Sequence, residues 1–172
     1  MASPWMSTDI RRATRSDLEA IGAGLPGRTV AQHAHRLQQQ EQGHGVYLIA
    51  WCEDRPVGHV TLKWPGWPER YVSEFTTRYD CSWVEDLSVE AQSRNQGIGR
   101  SLMETLEAMT QSRGLGRLGL DVGVDEGYAA ARYLYESLDY RDMGHGTYLT
   151  SAVVPGGGVW MERIVFLLKE LR

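Results

Sequence analysis

The fold is decided by the stretch Arg94-Asn95-Gln96-Gly97-Ile98-Gly99-Arg100-Ser101. A β-prone segment, residues 81–89, precedes it, and apolar residues at helical intervals follow it. Glycines at such a strand-to-helix turn let the backbone approach a ligand closely, and the unpaired amides at the helix start favour an anion such as pyrophosphate. Arg94 and Arg100 add positive charge. An ordinary turn with solvated arginines has the same pattern, so the neighbouring sequence must decide.

The sequence on the C-terminal side continues the alternation of helix and strand. A glycine-rich break at 114–116 leads into a predicted strand at 118–122, and a helix is predicted over 125–138. After these elements the pattern predicts a hairpin with its turn at 155–158 and a last strand at 164–168. The order strand, helix, strand, helix predicts an α/β protein.

The N-terminal side predicts two helices before a change of period. Thr14 and Asp17 have capping-box spacing, so a short helix is expected after a strand around Ile10. A second amphipathic helix is expected from Thr29 to before Gly43.

Two strands are predicted next, with a long loop behind them. Residues 47–52 are β-prone, residues 60–64 alternate apolar and polar side chains, and 53–56 have the composition of a hairpin turn. Residues 64–80 begin with two prolines and continue as a polar stretch. This segment is expected to be a loop that could shape a site.

Composition excludes several classes of function. The net charge of -4 without a basic block argues against a protein that mainly binds nucleic acid, and no apolar run is long enough to span a membrane. Cys52 and Cys81 are too few for a disulfide framework, and neither H-E-x-x-H nor C-x-x-C occurs, so no metal is expected. The G-x-G-x-x-G match at 114–119 follows a helix and opens a strand, which is the wrong context for dinucleotide binding. We expect a cytoplasmic protein.

Three segments together resemble the GNAT superfamily of N-acetyltransferases. They are the run Val84-Glu85-Asp86-Leu87-Ser88-Val89, the pattern Arg94-x-x-Gly97-x-Gly99, and the later helix with Ala131-x-x-Leu134-Tyr135. The resemblance implies an α/β fold with a splayed, mostly antiparallel mixed sheet flanked by helices on both faces. It also implies a single acetyltransferase domain over residues 5–172.

The same resemblance implies that acetyl-CoA is the cosubstrate. Its pantetheine arm would enter between the strand that ends near Val89 and the strand near Leu120, and the amides of residues 94–100 would hold the pyrophosphate. The implied cofactor-binding residues are Leu87, Ser88, Val89, Arg94, Asn95, Gln96, Gly97, Ile98, Gly99, Arg100, Ser101 and Tyr128. Family members transfer the acetyl group by direct attack of the amine, so neither cysteine is expected to act as a nucleophile.

Two proton transfers remain for side chains, because the ammonium must lose a proton and the thiolate must gain one. Tyr135 matches the family's general acid. For the base, strand alternation places Glu85 on the same apolar side as Trp83 and Leu87, which would raise its pKa, whereas Asp86 points the other way unless a bulge intervenes. Glu85 is therefore ranked first, and Asp121 is a further candidate because some family members carry a functional carboxylate there.

Two residues depart from the family pattern: Tyr128 stands where an asparagine is frequent, and Asp139 stands where a glycine precedes the aromatic Tyr140. They motivate an alternative, a non-catalytic acyl-CoA sensor or structural module of the same fold. The acceptor stays open between a cationic small molecule, such as an aminoglycoside or polyamine, and an amine of a protein. A homodimer is plausible from the C-terminal strands, and neither nucleic acid nor membrane is expected as a partner.

Overall fold

The computed structural model describes residues 7–67, 74–153 and 158–172. In these residues seven strands form one sheet in the order β1-β2-β3-β4-β5-β7-β6. The strands are β1 (Thr8–Arg12), β2 (Gly45–Cys52), β3 (Arg55–Lys63), β4 (Ser82–Val89), β5 (Arg117–Gly123), β6 (Arg141–Val153) and β7 (Val159–Glu170). Every neighbouring pair is antiparallel except β4 and β5.

Five α-helices surround the sheet in the described residues: α1 (Leu18–Gly24), α2 (Val30–Glu41), α3 (Glu74–Tyr79), α4 (Ile98–Ser112) and α5 (Ala129–Ser137). Capping boxes precede the first two, at Thr14 with Asp17 and at Thr29 with Gln32, as the spacing of the first pair predicts. No helix of this part of the chain is long and apolar enough to cross a membrane.

The helices cover both faces of the sheet. Leu48 on β2 packs in the main core with Leu102 of α4 and Tyr135 of α5, whereas the next residue, Ile49, packs with Ile21 of α1 on the other face. Alternate residues of a strand point to opposite faces, so α4 and α5 lie on one side and α1 and α2 on the other. The predicted fold class, a mostly antiparallel mixed sheet with helices on both faces, is confirmed.

Strands β4 and β5 stay together over only a short distance. Their pairing consists of Ser82 with Leu118 and Trp83 with Gly119, after which no further pair forms. A bulge lies just beyond that point on the other edge of β4, because Thr61 pairs with Glu85 while His59 pairs with Ser88. The strands therefore separate and leave a gap in the middle of the sheet.

Tertiary contacts changed three of the predicted boundaries. The segment 64–80, predicted as a loop, contains helix α3, because Phe75 and Tyr79 stack on Phe166 of β7. Helix α5 begins at Ala129 after a short 3-10 turn rather than at 125, and β7 begins well before 164. The predicted turn at 155–158 falls largely on residues 154–157, which lie outside the described residues.

Asp139 ends helix α5 in a left-handed conformation, with φ of 67°. The amide of Tyr140 bonds back to the Tyr135 carbonyl at 3.0 Å, which is the arrangement of a helix C-terminus that usually carries glycine. The departure from the family pattern at Asp139 therefore concerns only the turn.

Asp139→Gly is expected to raise the free energy of unfolding by about 0.5–1 kcal/mol, because glycine adopts positive φ without steric cost. The lost ion pair with Arg141 is exposed on both sides and contributes little. Urea unfolding measures the change, and Asp139→Ala, which keeps the strain, is the control that should show no gain. A glycine variant less stable than the parent would contradict this account of the turn.

Candidate active site

A cavity of about 430 Å³ lies between the end of β4, the start of α4 and helix α5. Its apolar wall comes from the end of β4 and from helices α4 and α5, and its polar rim comes mainly from the loop before α4. The lining residues are Leu87, Val89, Ser93, Arg94, Asn95, Gly97, Ile98, Gly99, Arg100, Ala130, Ala131, Tyr133, Leu134 and Ser137. The structure thus brings together most of the residues that the sequence assigned to the cofactor.

Four residues of that predicted set do not line the cavity. Ser88 pairs with His59 of β3, while Gln96 and Ser101 are exposed beside the loop. Tyr128 instead covers the end of β5, since a Cβ added to Gly123 would meet the Tyr128 ring at 2.2 Å. A hydrogen bond to Glu162, together with burial, raises the pKa of Tyr128 to about 12. These four positions stay predictions from the resemblance.

The loop before α4 has the geometry that close approach of a ligand requires. Asn95 and Gly97 both have positive φ, 60° and 81°, and such alternation turns backbone amides towards one concave side. Nothing lies within 4 Å of the position of a Cβ on Gly97, whereas a Cβ on Gly99 would come 3.2 Å from Leu134 Cδ2. Gly97 thus serves the backbone conformation, and Gly99 serves the packing of α4 against α5.

Two arginines are fixed at the rim of this loop. Arg94 Nε donates to the Val89 carbonyl at 3.0 Å, and Arg100 Nη2 donates to Ser137 Oγ at 2.6 Å. Both side chains remain accessible from the cavity. Beyond Trp83 the β5 side of β4 has no strand partner among the described residues, so its backbone groups are open to an extended ligand. A phosphate-bearing molecule with an extended arm, such as CoA, fits this combination of residues.

Tyr135 on α5 is almost enclosed, with 7% of its surface exposed. Burial, with a smaller contribution from the negative charge of Asp86, raises the pKa of Tyr135 to about 12. Its ring packs edge-on against Tyr140 with centroids 5.9 Å apart. In the described part of the chain its hydroxyl makes no hydrogen bond. Tyr135 therefore keeps its proton at neutral pH and can donate it.

Asp121 lies on β5 two residues beyond the last pair with β4, at the start of the gap. Burial raises the pKa of its carboxyl to about 6, and a hydrogen bond donated by the Tyr148 hydroxyl limits the rise. On the adjacent strand β7, Phe166 stands opposite Asp121. A carboxyl with this pKa is largely ionised at neutral pH and can still accept a proton efficiently.

Glu85 does not occupy the apolar setting that strand alternation predicted. Its side chain is 44% exposed and forms an ion pair with Lys63 at 3.0 Å. The bulge after Glu85 reverses the alternation, so Leu87 and Val89 pack against the core on the α4 face instead of beside Glu85. The expected environment of Glu85 was therefore wrong, for the reason that a bulge adds one residue to the strand.

The bulge residue is Asp86, and its cluster of ion pairs is the feature that sequence reasoning missed. Asp86 has φ of 57°, and its carboxylate takes two bonds from Arg28, at 3.0 and 2.6 Å, and an ion pair from Arg36. Burial raises the pKa of Asp86, but the two guanidinium groups outweigh burial and hold the pKa below its ordinary value. His59 lies 3.9 Å away, and burial lowers its pKa to about 4, so it is neutral. This cluster fixes the start of α2 on the bulge.

The model of the acetyltransferase (GNAT) family matches residues 15–140 of the chain. The chain belongs to this family. It is accordingly an acyltransferase that depends on acetyl-CoA, and the cavity beside the glycine loop lies where the sequence placed that cosubstrate. The resemblance stated from three short motifs is confirmed by the match over most of the chain.

Solved structures show the same fold. A ribosomal-protein-alanine N-acetyltransferase from Brucella melitensis is 21% identical, with a TM-score of 0.71 over 94% of this chain and 99% of its own. The ribosomal-protein-S18-alanine N-acetyltransferase from Escherichia coli is 18% identical, with a TM-score of 0.69 over 96% and 94%. A proposed acetyltransferase from Salmonella typhimurium, solved with its cofactor acetyl-CoA, is 19% identical, with a TM-score of 0.67 over 96% and 94%.

Asp86→Asn is expected to lower the free energy of unfolding by about 2–4 kcal/mol, because it leaves Arg36 and Arg28 without their counter-charge in a mostly buried place. Since the pKa of Asp86 is depressed, this contribution is complete above the ordinary aspartate range and is lost as the pH falls through the lower folded value. Urea unfolding at neutral pH measures the loss of stability, and the same experiment at acidic pH measures how the contribution of Asp86 depends on pH.

The control for this variant is Arg15→Gln, which breaks the exposed ion pair with Glu41 and should cost less than about 1 kcal/mol. If both variants lost the same small amount, the Asp86 cluster would not be the fixed point that its geometry indicates.

Proposed function

We propose that this enzyme transfers the acetyl group of acetyl-CoA directly onto a primary amine, with Asp121 as general base and Tyr135 as general acid. The observation that carries the proposal is the opposite acid–base character of two largely buried side chains, Asp121 where β5 leaves β4 and Tyr135 on α5. Tyr135 stays protonated with a pKa of about 12, while Asp121 titrates at about 6. Such a divergence assigns the acid and the base of a reaction.

Acetyl-CoA supplies the acetyl group as a thioester, which the amine attacks while the carbon–sulfur bond breaks. Asp121 takes the proton that the ammonium must lose to free its lone pair. Tyr135 gives its phenolic proton to the departing sulfur, and the second proton, which the nitrogen loses as the amide forms, restores the phenol by way of solvent. The amides and glycines of residues 95–99 and the side chains of Arg94 and Arg100 hold the pyrophosphate, and Leu87 with Leu134 forms the apolar wall. No covalent bond to the enzyme is needed.

Asp121 is preferred over the other two carboxylates for a physical reason. Glu85 is half-exposed and paired with Lys63, so it lacks the desolvation that strengthens a base. Asp86 is held as an anion by two arginines, which makes it a poor proton acceptor. Within the described residues Asp121 has a single hydrogen-bond partner, and that partner is neutral.

The charges near the gap no longer favour a cationic acceptor. Glu85 and Asp86 are both neutralised by Lys63, Arg28 and Arg36, so the acidic excess suggested by the sequence is absent at these positions. Two of the structurally similar proteins are ribosomal-protein-alanine N-acetyltransferases. An N-terminal amine of a protein is therefore the first acceptor to test, ahead of polyamines and aminoglycosides.

The sensor alternative loses its motivation. Asp139 is accommodated in the turn after α5, and Tyr128 packs on β5 away from the cavity. A sensor also has no need of a desolvated carboxylate with a raised pKa.

Gly97→Glu is expected to weaken acetyl-CoA binding more than tenfold, because the side chain must adopt φ near 81° and adds negative charge where phosphate binds. Titration calorimetry measures the affinity. Gly114→Glu is the matched control, since Gly114 also has positive φ and open space but lies at the other end of α4. Equal affinities for the two variants would remove the cofactor assignment.

Tyr135→Phe and Asp121→Asn are each expected to lower kcat by about 10²–10⁴-fold, because each removes one proton transfer. The affinity for acetyl-CoA should stay within about twofold, because neither side chain lines its cavity. Thiol release is followed with N-terminal peptides, polyamines and aminoglycosides as acceptors. Tyr79→Phe, which removes a hydroxyl that does not line the cavity, is the control. A Tyr135 variant as active as this control would exclude Tyr135 as the acid.

A further inference from the structure

Tyr148 reaches Asp121 from a strand that does not neighbour β5. Within residues 7–67, 74–153 and 158–172 its own strand, β6, pairs only with β7, and β7 lies between β6 and β5. Tyr148 stands opposite Ile164 on β7, and its hydroxyl crosses that strand to donate to Asp121 Oδ1. A side chain from the sheet edge therefore touches the carboxylate at the central gap.

An aromatic cluster holds Tyr148 in this position. Phe75 of α3 stacks on Phe166 with centroids 4.6 Å apart, and Tyr148 packs against Phe75 at 5.7 Å. Three residues before Tyr148, the bulge of β6 brings His145 onto Phe75, where its Nε2 is 2.6 Å from the Tyr79 hydroxyl. The Tyr148 hydroxyl thus comes from a packed wall rather than from a mobile surface.

The carboxylate of Asp121 uses only one of its oxygens in this contact. Oδ1 accepts from Tyr148, while Oδ2 makes no hydrogen bond within residues 7–67, 74–153 and 158–172. Oδ2 is also not one of the fully buried polar atoms that lack a hydrogen-bond partner in that part of the chain. It therefore reaches space that water can enter, and it is the oxygen left for a proton from the acceptor.

We propose that Tyr148 is a positioning residue for acetyl transfer, whose hydroxyl fixes Asp121 through Oδ1 so that Oδ2 receives the amine proton. The proposal rests on the proposed role of Asp121 as base. The Tyr148 phenol keeps its own proton throughout, and the proton from the ammonium passes to Oδ2. Tyr148 acts through Asp121 and need not touch the substrate.

The hydrogen bond also sets the strength of the base. Burial alone penalises the charged form of Asp121, and a neutral donor favours that form, so the phenol offsets part of the cost. The surrounding elements carry other ionisable groups: His145 on β6, Tyr79 on α3, and Glu85 on β4 with its partner Lys63. None of these four makes a hydrogen bond or ion pair with Asp121 in the described residues, which leaves Tyr148 as the group that tunes it.

Tyr148→Phe tests this directly, because it removes one oxygen and keeps the ring. The acidic limb of the pH profile of kcat/KM, which follows ionisation of Asp121, should move up by about 0.5–1 pH unit. The KM for acetyl-CoA should not change. Replacing Tyr148 with 3-fluorotyrosine makes the phenol a stronger donor without altering the fold, and it should move the same limb to lower pH.

The matched control is Tyr79→Phe, which removes a different hydroxyl from the same aromatic cluster. It should leave the acidic limb in place even if it lowers stability. A second readout needs no turnover: carbon NMR titration of the Asp121 carboxyl, assigned with Asp121→Asn, should show the two opposite shifts for the Tyr148 variants. An unchanged titration in both variants would overturn the proposal and leave Tyr148 with a structural role only.

Failure of the inference and failure of the proposed function give different results. If Asp121→Asn kept full activity and the parental pH profile, Asp121 would not be the base. If Asp121→Asn lost activity while both Tyr148 variants kept the parental limb, the base would stand and the positioning role would fall. In the double variant of Asp121→Asn with Tyr148→Phe, the second change should have no further effect on the pH profile.

Discussion

The separation of β4 from β5 is the constraint on which the rest of the structure depends. Two paired positions hold the strands together, and the pairing of β4 with β5 ends there. A closed sheet would satisfy more backbone groups but would have no space for an extended ligand. The cost is limited because the helices on one face and the aromatic cluster on the other close both sides around the gap.

Ion pairs of charged side chains fix the position of β4 beside that gap. The bulge on β4 adds a residue, turns Asp86 towards α2, and places its carboxylate between Arg28 and Arg36. A buried carboxylate with two partners has little freedom to rotate, so the strand cannot slip back into register with β5 without breaking those ion pairs. The same bulge sends Leu87 to the opposite face, where it becomes a wall of the cavity. One irregular residue thus shapes both sides of β4.

The sequence predicts the local elements of the fold and the site. The contacts that it does not predict join residues that lie far apart in the chain. The glycine spacing after β4 and the helix that carries Tyr135 follow from local patterns, and the mixed sheet follows from the family resemblance. Alternation failed after Glu85 because a bulge leaves no clear signal in a single sequence. Arg28 and Asp86 are 58 positions apart, and no period or motif links them. Tyr148 lies beyond the motif region and acts across an intervening strand, so only the sheet order reveals its neighbour.

The position of β7 between β5 and β6 has a consequence for how the molecule forms. Strand β5 cannot acquire its second neighbour until β7, which comes later in the chain, has been made and inserted. During synthesis the helices and the glycine loop can fold first, since domains assemble from the N-terminal side. In a nascent chain that has reached only β6, one edge of β5 is therefore unpaired. Unpaired strand edges promote aggregation with other chains. Assembly of this protein is completed by a non-local strand insertion, which favours slow maturation after the early elements have formed.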